Sequence, residues 1–344
     1  MAKVELSKWQ LFEKAIEGEV EAEKATYEEW SFIVGPGTEL FDRLSEMPTR
    51  LEHVTSRIFQ GLKTSADKIY IVRERERTKD RCKIYSPQKD AEYWVEPDLF
   101  HPLIKGGDSH AYHLRRTNRL ILFPYESHNG KVDLISASEF ERRFPLSWVY
   151  LLDNRDYLEN RERGKMRGNE WYAYSRNQAL DVMPLPKIFT PDIAPKAAYS
   201  IDEMGDVFFT GGTAGGYGIL IDADFSRLYL LGLLNSNLLE WFIQKKSTQM
   251  KGGWYSFESR YIKHLPIRPI DFDDPADVAR HDRMVQLVEQ MLDLHQRRQA
   301  AQTEHDRTSL TRRIHATDRQ INALVYELYG LTDAEIEIVE ATTQ

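Results

Sequence analysis

The chain is 344 residues long, 41% apolar and 29% charged, with a net charge of −8. That length holds one large domain or two ordinary ones. The lone cysteine, Cys82, excludes an internal disulfide and suits a reducing compartment. With no basic-then-apolar leader and no apolar run of about 18 residues, the expected location is the cytoplasm.

The charge is uneven: net −5 over residues 1–50, +4 over 51–270 and −7 over 271–344. A basic surface is therefore expected only in the middle of the chain. Residues 5–30 set acids among Leu6, Trp9, Phe12, Ile16, Val20, Tyr27 and Trp30 at helical spacing. This is the pattern of an acidic amphipathic helix that packs on the protein or a partner. Glu39 to Met47 reads as a short helix stopped by Pro48. Val54 to Phe59 and Lys68 to Val72 read as strands flanking a small polar loop, Gln60 to Asp67. Residues 73–92 alternate in charge and suggest a solvated ribbon or loop. Cys82, set among those charges, is expected as a surface bystander.

Val95 to Ile104, with Asp98 after Pro97, reads as a capped helix. Tyr112 to Leu114 and Arg119 to Pro124 read as strands, and Ser136 caps a helix to Phe144. A helix from Trp148 runs into a basic tail with Arg155, Arg161, Arg163, Lys165 and Arg167, followed by Trp171, Tyr172, Tyr174 and Arg176. Charge interleaved with aromatics suits a nucleic-acid surface. It equally suits a charged helix end before a core aromatic segment, and pattern alone leaves both open. Strands are expected at Lys187 to Thr190, Ala197 to Ile201, Val207 to Thr210 and Tyr217 to Ile221. The glycine run Gly211 to Gly218 is either a tight hairpin or a loop on which a ligand lies closely.

Leu230, Leu231, Leu234, Leu238, Trp241 and Phe242 share one helix face, interrupted by Asn235-Ser236-Asn237. A loop with Lys245, Lys246 and Lys251 follows, then Gly252-Gly253, Trp254-Tyr255 and a strand-like Tyr261 to Ile270. Residues 245–268 hold six basic groups against one acid, Glu258. From 278 to 329 two apolar stripes, separated by a polar interval at Gln296 to Thr308, indicate a helical hairpin or a coiled-coil-like pair. Thr332 and Glu335 cap a last short helix.

Three further stretches, Phe59 to Val72, Val95 to Gly106 and Ala323 to Glu340, join the sequence LLGLLNSNLLEWFI, a glycine-pair loop and FESRYIKHLPI in a fixed order. Their ordered set resembles the TaqI-like C-terminal specificity domain, the target-recognition region of type II restriction-modification enzymes and N6-adenine DNA methyltransferases, over roughly residues 50 to 340. The resemblance implies an α+β fold: an N-terminal acidic segment (1–50), a mixed, curved β-sheet target-recognition domain (51–270) and a C-terminal helical scaffold or partner region (271–344). It implies that the loop at Gln60 approaches DNA, making Gln60, Lys63 and Thr64 contact candidates. Base readout is then expected from Lys63, Thr64, Arg167, Trp171, Arg176, Thr213, Gln249 and Tyr255. Phosphates are expected at Arg163, Lys165, Lys245, Lys246 and Lys251.

No Asn/Asp-Pro-Pro-Tyr/Phe tetrapeptide, no Glu-x-Lys on a strand, no phosphate-loop motif and no His/Cys metal spacing occurs. The chain by itself is thus expected not to be an enzyme, to hold no metal, and to leave S-adenosylmethionine to a catalytic partner or missing domain. The leading expectation is double-stranded DNA recognition as the specificity part of a restriction-modification or phage-defence system. The alternative is a partner-binding assembly or inhibitor subunit without DNA contact.

Overall fold

The computed structural model describes residues 37–128, 131–250 and 252–343. The acidic segment 5–30 and Lys251 lie outside these. A four-stranded antiparallel sheet divides two apolar cores. Its order is Thr55–Gln60, Gly216–Ile221, Lys187–Pro191, Ser200–Asp202. Successive side chains on a strand point to opposite faces. Here Ile188 and Ile219 enter one core, and their neighbours Phe59 and Phe189 enter the other. One sheet therefore fixes the two halves against each other.

The first core lies on a six-stranded mixed sheet, ordered Phe208–Phe209, Phe100–Ile104, Arg119–Leu122, Ile71–Arg77, Cys82–Ser86, Ala91–Val95. Only the Phe208–Phe209 and Phe100–Ile104 pair is parallel. Three expectations change here. The stretch from Val95 to Ile104 is one short turn, Pro97–Leu99, and then a strand rather than a helix. Residues 67–70 form a helical turn, and the strand begins at Ile71. Cys82 is buried on the inner face of the charged ribbon, not on the surface, and burial pushes its thiol up to about 11. The ribbon itself is a β-meander. Ser136 caps the helix Ala137–Arg143 by accepting from the Glu139 amide at 3.4 Å.

The second core is mostly helical. Ser236 divides the apolar helix into Arg227–Leu234 and Asn237–Lys246. Its hydroxyl donates to Leu233 O (2.7 Å) and accepts from the Leu239 amide. The helices Pro275–Ala300 and Glu304–Leu328 form the expected hairpin, with the turn tightened to residues 301–303. Gly232 lets this hairpin sit close, because a Cβ there would stand 2.5 Å from Met284 Sδ. Asp333–Thr343 follows, its start closed by reciprocal Thr332 and Glu335 bonds. These C-terminal helices share one continuous core with residues 227–246. Tyr261 to Ile270 is not a strand: Ser259–Ile262 is a helical turn, and Tyr261, Ile262, Leu265 and Ile267 fill the same core. The fold is α+β. No helix of the described residues is long and apolar enough to cross a membrane.

Candidate nucleic-acid interface

The loop after Thr55–Gln60 is the centre of the candidate surface. Lys63 pairs with Arg176 through an isolated antiparallel bridge. The Lys63 ammonium hangs over the glycine loop, 3.3 Å from where a Cβ would stand on Gly212. Thr213 is exposed at the tip of that loop, and Arg176 is exposed beside it. The structure thus gathers Lys63, Arg176 and Thr213 from three distant parts of the sequence. The glycines serve the loop's own packing: a Cβ would stand 1.6 Å from Thr210 O at Gly215 and 2.1 Å from Thr190 O at Gly216. Gly212 also takes φ = 87°, a left-handed value that glycine adopts freely.

A second group abuts this loop. The Ser65 hydroxyl donates to Glu162 Oε1 at 2.9 Å and lies 2.7 Å from the Ser175 hydroxyl. Ser65, Glu162 and Arg163 all have positive φ (53°, 49° and 61°). Each such residue costs about 1–3 kcal/mol, which surrounding contacts must offset, and such residues concentrate at functional sites. The surroundings here are built by Arg161. It is buried, and its guanidinium donates to Leu158 O, Thr64 O, Trp171 O and Ala173 O at 2.7–2.9 Å. Arg163, Lys165 and Arg167 then emerge exposed. Arg167 turns back to donate to Asn160 Oδ1 at 2.6 Å.

Two readout candidates are corrected by burial. The Thr64 hydroxyl is 1% exposed, donates to Asp67 Oδ1 (2.6 Å) and accepts from the Ala66 amide, so it closes a turn. Trp171 is 3% exposed and packs on Trp148 and Tyr172, with Arg155 over its ring. Tyr172 and Tyr174 donate their hydroxyls to Ile135 O and Leu122 O, each at 2.5 Å. Trp171, Tyr172 and Tyr174 are core, while Arg163, Lys165, Arg167 and Arg176 reach the surface.

The third group is the hairpin Gln249–Met250 and Trp254–Ser256. It adds to Ile193–Ala194, just beyond the strand that carries Pro191. Gly252 and Gly253, with φ of 90° and 77°, make its tip. Gln249 is exposed, and Lys245 and Lys246 are half-buried in the last turn of the preceding helix. Tyr255 packs against the helical core, while Trp254, 44% exposed, is the ring presented to solvent. Sequence reasoning named Tyr255 and passed over Trp254; alternation would not have found it, because Trp254 and the buried Ser256 share one strand face. It also missed Asp192, which joins this hairpin to the glycine loop. The Asp192 amide donates to Gly215 O, its carbonyl accepts from the Phe257 amide, and its buried Oδ1 has no hydrogen-bond partner among the described residues. Burial and then Glu258 raise its carboxyl, against Lys63 and Arg260.

The arrangement is a shallow surface with lysine and arginine donors, a small polar loop tip and one exposed indole, the Asp192 carboxyl being buried. Among the described residues no group of three or more His, Cys, Asp or Glu is disposed to hold a metal.

Residues 101–267 match the TaqI-like C-terminal specificity domain. The chain is 27% identical over 296 residues to the Escherichia coli type II restriction enzyme and methyltransferase RM.Eco57I, an alignment that covers 82% of this chain and 29% of that protein. It is 21% identical over 280 residues to the type II methyltransferase M.BstVI of Geobacillus stearothermophilus (81% of this chain, 40% of that one). It is 30% identical over 149 residues to M.BanIII of Aneurinibacillus aneurinilyticus (42% and 23%). The chain spans well under half the length of these relatives.

Proposed function

We propose that this chain, whose residues 101–267 match a TaqI-like C-terminal specificity domain, reads a particular double-stranded DNA sequence for a type II restriction-modification or phage-defence adenine methyltransferase. The observation that carries this reading is the convergence of Lys63, Arg176 and Thr213 beside the Gln249–Ser256 hairpin, on a frame of imposed left-handed residues. Arg176 and Lys63 are donors for base edges, the exposed Gln249 amide and Thr213 hydroxyl donate or accept there, and Trp254 offers a face for stacking. Arg163, Lys165, Lys245 and Lys246 hold phosphates, which position the duplex without reading it. Lys251 belongs to the same loop and is proposed for the same role. Methyl transfer, and the S-adenosylmethionine it consumes, belong to a catalytic domain or subunit with which this part works on DNA in the cytoplasm.

The test is binding-site selection on randomised duplexes with wild type, Arg167→Ala and Arg176→Ala, folding being checked by circular dichroism. A bidentate arginine–guanine contact is worth roughly 1–3 kcal/mol of discrimination. Arg176→Ala should relax preference at one base position by about tenfold. If wild type selects no sequence, the reading falls. If both folded variants select as wild type does, the arginines are not readers.

A further inference from the structure

Away from the reading surface, the turn between the two long helices faces the short hairpin Ser109–His110 and His113–Leu114 across a half-open cavity of about 490 Å³. It is lined by His113, Arg115, His295, Arg298, Glu304 and Arg307. Three guanidinium groups thus meet one carboxylate. That carboxylate is weakly engaged, since Arg307 Nη1 stands 3.9 Å from Glu304 Oε2. Arg307 Nε is tied to Ala301 O at 3.2 Å, which fixes its stem on the turn. Arg298 makes no ion pair among the described residues and lies one helical turn after His295. The His295 ring stacks on His113 (centroids 5.5 Å apart, planes 9° apart), and His113 on His110 (6.3 Å, 9°). Nδ1 of His295 is buried with no hydrogen-bond partner among the described residues. The helix Glu304–Leu328, 25 residues long, begins at this cavity, adding the positive end of its dipole.

We infer that this cavity is a phosphate-binding site, with Arg115, Arg298 and Arg307 as charged donors and His295 as a neutral one. Guanidinium groups match phosphate oxygens in pairs. The crowding of positive charge is visible in the imidazoles. Burial first, and then His113, Arg298 and His110, hold His295 down at about 4, and burial and the same kind of neighbours lower His113. Both are neutral near pH 7, and a phosphate would offset the unfavourable field of the arginines. The phosphate has two possible sources, a free phosphorylated small molecule or the DNA backbone. The second is open because one turn links the cavity wall to the glycine loop. Arg115 holds Asp108 Oδ1 at 3.0 Å, and Gly106, in the same turn, donates its amide to Ala214 O at 3.0 Å. Only this duplex source rests on the DNA-reading function.

The experiment uses the full chain, the double variant Arg298→Ala with Arg307→Ala, and a charge control, Arg312→Ala with Arg319→Ala, which removes two exposed cations outside the cavity. Sodium tripolyphosphate is titrated by calorimetry while the histidine resonances are followed. A free-phosphate site shows saturable binding that weakens at least tenfold in the cavity variant and little in the control, with His113 and His295 shifting on binding. A backbone site shows no saturable tripolyphosphate binding. Instead the salt slope of duplex affinity falls, in the cavity variant alone, by about 0.9 for each phosphate no longer neutralised. The inference is overturned if neither ligand distinguishes the cavity variant from the control. Should wild type bind no duplex at all, the DNA-reading function fails while the tripolyphosphate arm still decides this one.

Discussion

Arg161→Met is the sharpest test of how the reading surface is held. The native guanidinium makes four bonds to carbonyls of residues 64, 158, 171 and 173 and lies over the Tyr70 ring. Hydrogen bonds from a charged donor contribute roughly 1.5–3 kcal/mol each, so the gross loss is about 6–12 kcal/mol. Against this, methionine fills a similar volume and removes a guanidinium whose desolvation costs several kcal/mol. Tyr70 still donates to Tyr172 O at 2.7 Å, so the segment is not left without an anchor. The net destabilisation should be on the order of 3 kcal/mol, a fall in Tm of several degrees for a chain of this size. Below that melting point, Ser65, Glu162 and Arg163 are no longer held at positive φ by the Arg161 bonds, so sequence selectivity should fall more than affinity for random duplex. The assay is thermal melting by circular dichroism, followed by competition between the selected site and random DNA. A variant that melts within about one degree of wild type and keeps its selectivity would refute the reasoning.

Three further outcomes are expected. Lys245→Ala with Lys246→Ala should weaken all duplexes alike and flatten the salt slope by about 0.9 for each phosphate these lysines neutralise; an unchanged slope removes them from the interface. Calorimetry should show no stoichiometric binding of S-adenosylmethionine, and tight binding would overturn the reading of a separated specificity part. Burial, opposed by the Ala197 amide, raises the Glu240 carboxyl from 4.5 to about 7. The folded state then holds a proton that the unfolded chain releases, so the Glu240 contribution to stability is full below about pH 4.5 and is lost as pH rises through about 7. Glu240→Gln should flatten that fall, by an amount on the order of 3 kcal/mol; unchanged pH dependence of urea unfolding would exclude Glu240 as its source.

What was legible in the sequence was local. The caps at Ser136 and Thr332 and the stripes of the long hairpin depend on residues within a few positions of one another, and they appear where expected. Residues 95–104 misled because Leu99, Phe100, Leu103 and Ile104 sit at helical spacing. Pairing with Arg119–Leu122 and Phe208–Phe209, distant in sequence, makes them a strand. Arg161 and Arg163 are two positions apart in one basic run, yet the first is core and the second surface. Nothing local separates them, because the carbonyls that claim Arg161 include those of Thr64, Trp171 and Ala173. Trp171 is core for the same reason.

The acid at Asp192 and the acceptor role on the proposed reading surface escaped notice for a different reason. A search for DNA-binding residues weights cations, because phosphates dominate affinity. Base edges also present donors, the amino groups of cytosine and adenine, and a surface made only of lysine and arginine cannot tell these from acceptors. Asp192, 5% exposed, cannot itself meet a base edge: it ties the hairpin to the glycine loop through its amide and carbonyl, and burial and then Glu258 disfavour its charge, against Lys63 and Arg260. An exposed aspartate elsewhere would be repelled by the backbone and screened by salt. Acceptance from a base amino group is therefore expected to fall to the exposed Gln249 amide oxygen and Thr213 hydroxyl, groups that charge counting does not score at all.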